Sequence, residues 1–250
     1  MPDEWVITPR PNPRARLRLF CFHSAGSGAS MFVPWAAHLP GDIELNAIQM
    51  PGRENRLKET PYKRIDPLMS VLEDQLYPLL DRPFAIFGLS MGALVGFELA
   101  LRLRQAYGIE PTHFFSASRR APQTPDRLPL IAQLQDAAFL EAVQARYKSI
   151  PQVIWEDAEL MRLFLPLLRA DFTLLETYTY TEDAPLGCPL SVLYGEEDAT
   201  ITLEDIAGWQ IHTRARYTQQ AFSGGHFFTG TQTTAVIEFL LQQGLRSNGH

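Results

Sequence analysis

The first residue that could do chemistry is a serine placed between two glycines. Ser90 is the centre of GLSMG, inside an apolar stretch that covers residues 84–103. A G-x-S-x-G pattern presents a serine hydroxyl on a tight turn between a strand and a helix, where it can act as a nucleophile. Residues 84–87 predict a short buried strand, and residues 93–107 predict a helix that ends at Gly108. The order of strand, turn and helix is the one that this chemistry needs.

Two other interpretations compete for the same stretch. A membrane-spanning helix needs about 20 consecutive apolar residues, but Ser90, Glu98 and Arg102 interrupt the run. Ser90 could instead be a small residue that lets a strand and a helix pack closely. We favour the nucleophile, because the elements on both sides of the turn fit it.

A serine nucleophile needs a base that takes its proton, and the base needs a carboxylate that orients it. In folds with this turn, the acid and then the histidine follow the serine along the chain. His226 lies in the glycine-rich SGGHFFTG, directly after the last predicted strand, and we predict that it is the base. The other histidines precede the serine, lie near other elements or end the chain: His23, His38, His113, His212 and His250.

Asp198 is the predicted acid. It lies in GEEDAT, just past a predicted strand at residues 190–194, and a carboxylate in this position points toward the site of a parallel sheet. Glu196 and Glu197 belong to the same turn and compete with it. Three further aspartates are less well placed, namely Asp171, Asp183 and Asp205.

Attack on a carbonyl also requires hydrogen-bond donors for the developing oxyanion. One donor is expected to be the backbone N–H of Met91, directly after the nucleophile. The other should come from the loop after an early strand, HSAGSGAS at residues 23–30. Ala25 is the first choice there and Ser24 the second.

The elements that must position these residues alternate between strand and helix patterns. This alternation predicts an α/β fold with a mostly parallel sheet flanked by helices. Strand patterns cover residues 15–22, 43–50, 84–87, 113–118, 190–194 and 216–222, and helix patterns cover residues 67–80, 93–107 and 233–245, with another helix starting at 31–39. The Pro-rich residues 8–14 are expected to be flexible.

Residues 121–185 break this alternation. They contain helical patterns, such as 130–147 and 156–178, and no convincing buried strand. An insertion late in an α/β sheet would lie over the strand ends where ligands bind. We therefore expect a helical lid at about 121–185, within a single domain that spans residues 1–250.

The composition excludes some classes of partner. The chain has 46% hydrophobic and 20% charged residues and a net charge of -6, so it lacks the excess of basic residues that nucleic acid or an anionic membrane would require. Cys21 and Cys188 show no metal-ligand spacing and are interpreted as core residues, and we expect neither a metal nor a cofactor. The N-terminus has no secretory pattern, so a cytoplasmic protein is expected.

Four segments together resemble a known family. GLSMG, AGSGAS with Phe32 and Trp35 behind it, QMPGRE and GGHFF are similar to segments of type II thioesterases of nonribosomal peptide and polyketide synthesis. The matching segments lie within residues 17–56, 82–104 and 188–230. The early loop departs from the A-G-G run of many relatives.

The resemblance implies an α/β-hydrolase fold and a free-standing editing enzyme. Such an enzyme removes stalled or wrong acyl groups from the phosphopantetheine arm of acyl or peptidyl carrier proteins. By this resemblance Ser90 is the nucleophile, Asp198 the acid and His226 the base, while Met91 and Ala25 are the oxyanion donors. We expect a monomer that works through an acyl-enzyme.

Other activities fit the same residues. A thioesterase that releases medium-chain fatty acids, a serine esterase or lipase, and a catalytically silent binding protein of this fold are the alternatives. Arg53 of the PGRE segment has two interpretations. It could contact a carrier or its phosphate, or it could form a salt bridge with a carboxylate.

Overall fold

The computed structural model describes residues 5–245, and its centre is one twisted sheet. The strands are β1 (Val6–Ile7), β2 (Leu17–Phe22), β3 (Ile43–Ile48), β4 (Phe84–Leu89), β5 (Phe114–Ala117), β6 (Leu190–Gly195) and β7 (Tyr217–Phe222). Their order across the sheet is β1-β3-β2-β4-β5-β6-β7. Strand β1 is antiparallel to β3, and every other neighbouring pair is parallel. The prediction of a mostly parallel sheet is confirmed.

Helices cover both faces of this sheet. They are α1 (Ile65–Leu76), α2 (Met91–Tyr107), α3 (Asp136–Tyr147), α4 (Gln152–Glu156), α5 (Ala158–Glu176), α6 (Leu203–Ala207), α7 (Phe228–Thr231) and α8 (Thr233–Leu240). Successive side chains of a strand point to opposite faces. In β2, Phe20 and Phe22 join the core beneath α1 and α2, whereas Leu19 and Cys21 join the core beneath α8. Gly108 caps the C-terminus of α2, as predicted, and has a left-handed conformation.

The helix expected at residues 31–39 is present as a 3-10 helix at Ala29–Ala37, and Pro34 within it has no N–H for an α-helical hydrogen bond. Two other local predictions were wrong. The last α-helix ends at Leu240 and passes into a wider turn with Gly244 at a φ of 137°. The Pro-rich segment is tied down, since the Asn12 N–H donates to Glu44 Oε1 at 2.7 Å.

Residues 121–185 contain α3, α4 and α5 and no strand, as their sequence predicts. The helices enclose a small apolar core of their own that includes Phe139, Val143 and Phe172. Ala25 of the early loop packs against this core. The segment therefore contacts the loop that was expected to carry an oxyanion donor, and its role as a lid stays a prediction.

Candidate active site

The turn between β4 and α2 holds Ser90 in an unusual backbone conformation. Its φ of 53° and ψ of -110° are rare for a residue with a side chain and store strain. The Ser90 N–H donates to the Ala117 carbonyl at 2.7 Å, which fixes the turn against the end of β5. The apolar run around GLSMG is thus a strand and a helix, and no helix within residues 5–245 is long and apolar enough to span a bilayer.

The glycines on either side of the serine are required by space. A Cβ on Gly88 would lie 2.3 Å from the Gly92 carbonyl oxygen. A Cβ on Gly92 would lie 2.1 Å from the carbonyl oxygen of Phe22 in β2. Such distances are far below van der Waals contact, so the backbone leaves no room for a larger residue at either position. The sequence pattern around Ser90 therefore has a steric cause in the fold.

Ser90, His226 and Asp198 form one chain of hydrogen bonds. Nε2 of His226 lies 2.9 Å from Ser90 Oγ, and Nδ1 of His226 lies 2.7 Å from Asp198 Oδ2. With the Nδ1 proton donated to the carboxylate, Nε2 accepts the hydroxyl proton. Each of the three residues is at most 9% exposed. The arrangement has the contacts that a nucleophile, a base and an orienting acid need.

The carboxylate of Asp198 is held in its charged form. Burial alone would raise its pKa, but hydrogen bonds from His226 and Thr200 outweigh burial and lower the pKa. Thr200 donates to Oδ1 through both its hydroxyl, at 2.6 Å, and its N–H, at 2.9 Å. Glu196 and Glu197, which compete with Asp198 in the sequence, are exposed and make no hydrogen bond to His226.

The acid and histidine loops are packed directly on each other. A Cβ on Gly195, at the end of β6, would lie 2.2 Å from the Gly225 carbonyl oxygen. The hydroxyl of Ser118, just past β5, donates to the His226 carbonyl at 2.7 Å. Ser118 and Thr200 were not predicted as site residues. Their signal in the sequence is only that each is a small polar residue shortly after a strand.

The early loop lies beside the serine. Ser24 and Ala25 line one cavity together with Ser90 and His226. The Ala25 and Met91 N–H groups donate no hydrogen bond to any group within residues 5–245. Their role as oxyanion donors stays a prediction. The cavity has a volume of about 30 Å³, which is room for one or two waters.

Side chains from the helical segment line this cavity. Tyr147 of α3 and Phe172 of α5 line it, and the Tyr147 ring centroid is 4.9 Å from that of His226. Aromatic walls exclude water from a site, which strengthens the electrostatic interactions inside it. The segment at 121–185 thus contributes directly to the surroundings of Ser90.

A buried ion pair joins the early loop to α5. The Arg53 guanidinium donates to both carboxylate oxygens of Asp171, at 2.8 and 3.0 Å, and also to the Ser27 carbonyl at 2.9 Å. Asp171 accepts a further hydrogen bond from the Gly26 N–H at 2.8 Å. Of the two interpretations of Arg53, the salt bridge to a carboxylate is the one observed. Asp171 is not part of the hydrogen-bonded chain at Ser90.

The other candidate histidines and cysteines lie away from this chain. His23 is buried at the start of the early loop, His38 is exposed, and His250 is outside the described residues. Burial lowers the pKa of both His113 and His212 to about 4. Two further groups are the buried thiols, which form no disulfide: Cys21 and Cys188. No group of side chains within residues 5–245 has the arrangement of a metal site.

Comparison with known proteins gives one consistent family. The profile of the thioesterase domain family matches residues 17–243. A solved structure, the type II thioesterase BorB from the borrelidin biosynthetic cluster, is 32% identical and superposes with a TM-score of 0.87 over 96% of this chain and 97% of that one. This similarity confirms the α/β-hydrolase fold.

Two curated relatives match nearly as completely. Linear gramicidin dehydrogenase LgrE of Brevibacillus parabrevis is 40% identical, over 96% of this chain and 94% of that protein. Gramicidin S biosynthesis protein GrsT of Aneurinibacillus migulanus is 36% identical, over the same shares of the two chains. LgrE is named a dehydrogenase. The family profile, in contrast, is that of the thioesterase domain, and BorB is named a thioesterase.

Proposed function

The chain belongs to the thioesterase family, and from this membership we propose that it hydrolyses acyl thioesters on the phosphopantetheine arm of carrier proteins. It would remove stalled or wrong acyl groups during nonribosomal peptide or polyketide synthesis. The observation that carries the proposal is the hydrogen-bonded chain from Asp198 through His226 to Ser90. Relatives of similar length that are named for such biosynthetic clusters support the class of substrate.

The proposed reaction begins with attack by Ser90. His226 Nε2 takes the hydroxyl proton while Oγ bonds to the thioester carbonyl carbon. The carbonyl oxygen becomes an oxyanion, which accepts hydrogen bonds from the Met91 and Ala25 N–H groups. The carbon–sulfur bond then breaks, and His226 returns the proton to the leaving thiolate. Asp198 stabilises the imidazolium throughout and keeps its ring in place.

The second half of the reaction releases the acid. A water molecule gives a proton to His226 as its oxygen bonds to the acyl carbon of the ester on Ser90. The new tetrahedral intermediate uses the same two N–H groups. Its collapse returns the proton to Ser90 Oγ and frees the carboxylic acid. Apart from one water molecule, the proposed steps use only the three side chains and the two N–H groups.

We assign the helical segment 121–185 the role of a lid. Tyr147 of α3 and Phe172 of α5 line the cavity beside Ser90. Movement of α3 or α5 would widen this cavity for an acyl group, and their return would exclude bulk water from the acyl-enzyme. A monomeric state and a cytoplasmic location remain predictions from the sequence.

The proposal is tested by comparing carriers with small esters. An acetyl group on a phosphopantetheinylated carrier should be released with a higher kcat/KM than the same acetyl group on p-nitrophenol or glycerol. Ser90→Ala, with Gly230→Ala as a control substitution at an open position, should lose the carrier activity. Equal or faster turnover of the oxygen esters would favour a general esterase instead. A strong preference for medium-chain fatty acyl carriers would favour release of fatty acids.

A further inference from the structure

A second cavity adjoins the one at Ser90. It has a volume of about 320 Å³, at the lower end of the roughly 300–1,000 Å³ typical of ligand pockets. Arg119, Arg120 and Leu175 line both cavities, so these three side chains form the partition between them. The rest of its wall comes from residues 122–126 and 178–180, together with two side chains, Leu130 and Glu176. An acyl group attached to Ser90 would need only to pass this partition to enter the second cavity.

Arg119 is the member of the partition with a buried polar atom that lacks a partner. Its Nε atom is buried and has no hydrogen-bond partner. Within residues 5–245, no carboxylate lies within 4.0 Å of its guanidinium. Its neighbour Arg120, in contrast, pairs with Asp126. A guanidinium that borders a cavity and has no carboxylate partner can still bind an anion.

Both acidic side chains in the wall of the second cavity are already engaged. Asp126 pairs with Arg120. Glu176, at the end of α5, accepts hydrogen bonds from the Ile131 and Ala132 N–H groups, at 2.6 and 3.0 Å. It therefore caps the chain before α3 instead of neutralising Arg119. The positive charge of Arg119 is left for whatever enters the cavity.

The backbone holds Arg119 in a fixed position relative to the catalytic histidine. Trp209 Nε1 donates to the Arg119 carbonyl at 2.8 Å. The preceding residue, Ser118, donates its hydroxyl to the His226 carbonyl at 2.7 Å. The base of the Arg119 side chain is thus tied to the core on one side and to the histidine loop on the other. A group bound by the guanidinium would be positioned relative to the acyl carbon at Ser90.

We propose that the second cavity is an acyl subsite in which Arg119 binds a carboxylate carried by the acyl chain. The inference rests on the proposed function, because it requires that the acyl carbon be bonded to Ser90. Its substrates are half-thioesters of short dicarboxylic acids, which are favoured over neutral acyl groups of the same size. Acyl groups with an ammonium are disfavoured by the same charge.

The chemistry of arginine supports this choice of ligand. Burial and the neighbouring Arg120 lower the pKa of Arg119 to about 10, so the guanidinium remains charged at neutral pH. Its planar fork matches the two oxygens of a carboxylate, and hydrogen bonds between such groups are stronger than those between neutral partners. A neutral amide of the same shape would offer only one acceptor and no charge. The carboxylate should therefore be distinguished from its own amide.

The test uses a matched pair of substrates. Glutaryl and glutaramoyl thioesters of N-acetylcysteamine have the same shape and differ in charge, and uncatalysed hydrolysis is subtracted with Ser90→Ala. For the wild type we expect kcat/KM for the glutaryl thioester to exceed that for the glutaramoyl thioester by about tenfold or more, as one charge-assisted interaction provides. In Arg119→Gln this ratio should fall to near one, and Arg119→Lys should retain part of it. Equal rates for the two thioesters in the wild type would overturn the inference.

A matched control separates charge from location. Arg127→Gln removes one positive charge eight residues further along the chain, at an exposed side chain that lines neither cavity. It should keep the wild-type ratio of kcat/KM for the two thioesters. If Arg119→Gln slows both thioesters equally, Arg119 has a structural role or contacts the arm, and the inference fails. If the wild type hydrolyses an acetyl thioester but shows no preference between the pair, only the inference fails. If it hydrolyses no thioester at all, the proposed function fails with it.

Discussion

Arg53 and Asp171 form a buried, bidentate ion pair although they lie 118 residues apart in the chain. Both side chains are at most 3% exposed. The pair connects the PGRE segment with α5, and Asp171 also holds the Gly26 N–H of the early loop. Through these contacts, the position of the proposed oxyanion donor Ala25 depends on the position of a helix in the proposed lid.

This connection predicts that breaking the pair impairs catalysis as well as folding. Asp171→Asn should lower the free energy of unfolding by about 3–5 kcal/mol, because Arg53 remains as a buried, unpaired charge. It should also lower kcat by about tenfold or more, as expected when an oxyanion donor is displaced. Denaturant unfolding and steady-state kinetics on a thioester measure the two effects.

A double substitution separates the two roles. Arg53→Met combined with Asp171→Leu removes both charges, and such apolar replacements often recover the stability of the parent. The Gly26 N–H would still lack its acceptor, so kcat should remain low. Recovery of kcat along with stability would show that the pair only supports folding.

The glycines around Ser90 give a second prediction. Gly92→Ala would place a Cβ 2.1 Å from the Phe22 carbonyl oxygen, so it should prevent folding or cost several kcal/mol of stability. Gly230→Ala has nothing within 4 Å of the added carbon and should change the free energy of unfolding by less than about 1 kcal/mol. Unfolding curves of the two variants should therefore differ strongly. A Gly92→Ala enzyme of wild-type stability would contradict the geometry of the turn.

Thr200 gives a third prediction, on the orientation of the acid. Thr200→Val removes the hydroxyl that donates to Asp198 Oδ1 and keeps the N–H that does the same. We expect a loss in kcat of about tenfold, well below the roughly 10⁴-fold loss expected for Asp198→Asn. Steady-state kinetics compare these variants with Glu197→Gln, whose side chain is exposed and should leave kcat unchanged. A larger effect of Glu197→Gln than of Asp198→Asn would move the role of the acid to Glu197.

The buried histidines predict a loss of stability in mild acid. The pKa of His113 is lowered to about 4 by burial and by the neighbouring Arg216, whereas an unfolded histidine titrates near 6.5. Between these values the unfolded chain binds the extra proton, so the free energy of unfolding falls as the pH drops from about 7 toward 4. The loss should reach a few kcal/mol for His113, and His212 adds a similar amount.

Urea unfolding at pH 7 and pH 5 measures this effect. His113→Gln keeps a polar group near Ser191, which lies 2.8 Å from the histidine Nε2, and it should show a smaller difference between the two pH values than the wild type. His38→Gln, at an exposed position, serves as the control. An unchanged pH dependence in His113→Gln would mean that His113 does not cause the loss.

Short patterns in the sequence predicted the chain of residues at the site. The order of strand, GLSMG and helix identified Ser90, and glycine-rich or acidic loops after β7 and β6 identified His226 and Asp198. These residues could be found because parallel strands end at the same edge of the sheet, so the loops after them converge. The same reasoning predicted the sheet and the flanking helices.

Contacts between distant segments could not be predicted in this way. Asp171 is in the middle of a helix, and nothing in its local pattern indicates that Arg53 pairs with it. The hydrogen bond from the Ser118 hydroxyl to the His226 carbonyl was likewise not predictable, because it depends on how two loops pack. The 3-10 form of the helix at Ala29–Ala37 was not predicted either, since its apolar residues give a helical pattern that does not distinguish a 3-10 helix from an α-helix.

In the proposed mechanism, His226 and Asp198 activate Ser90 as a nucleophile. Intact-protein mass spectrometry after treatment with a fluorophosphonate measures this activation. We expect one covalent adduct per wild-type chain, located on Ser90 by peptide mapping, with labelling that is slower in His226→Ala and absent in Ser90→Ala. An adduct that persists in Ser90→Ala, or labelling of His226→Ala at the wild-type rate, would contradict it.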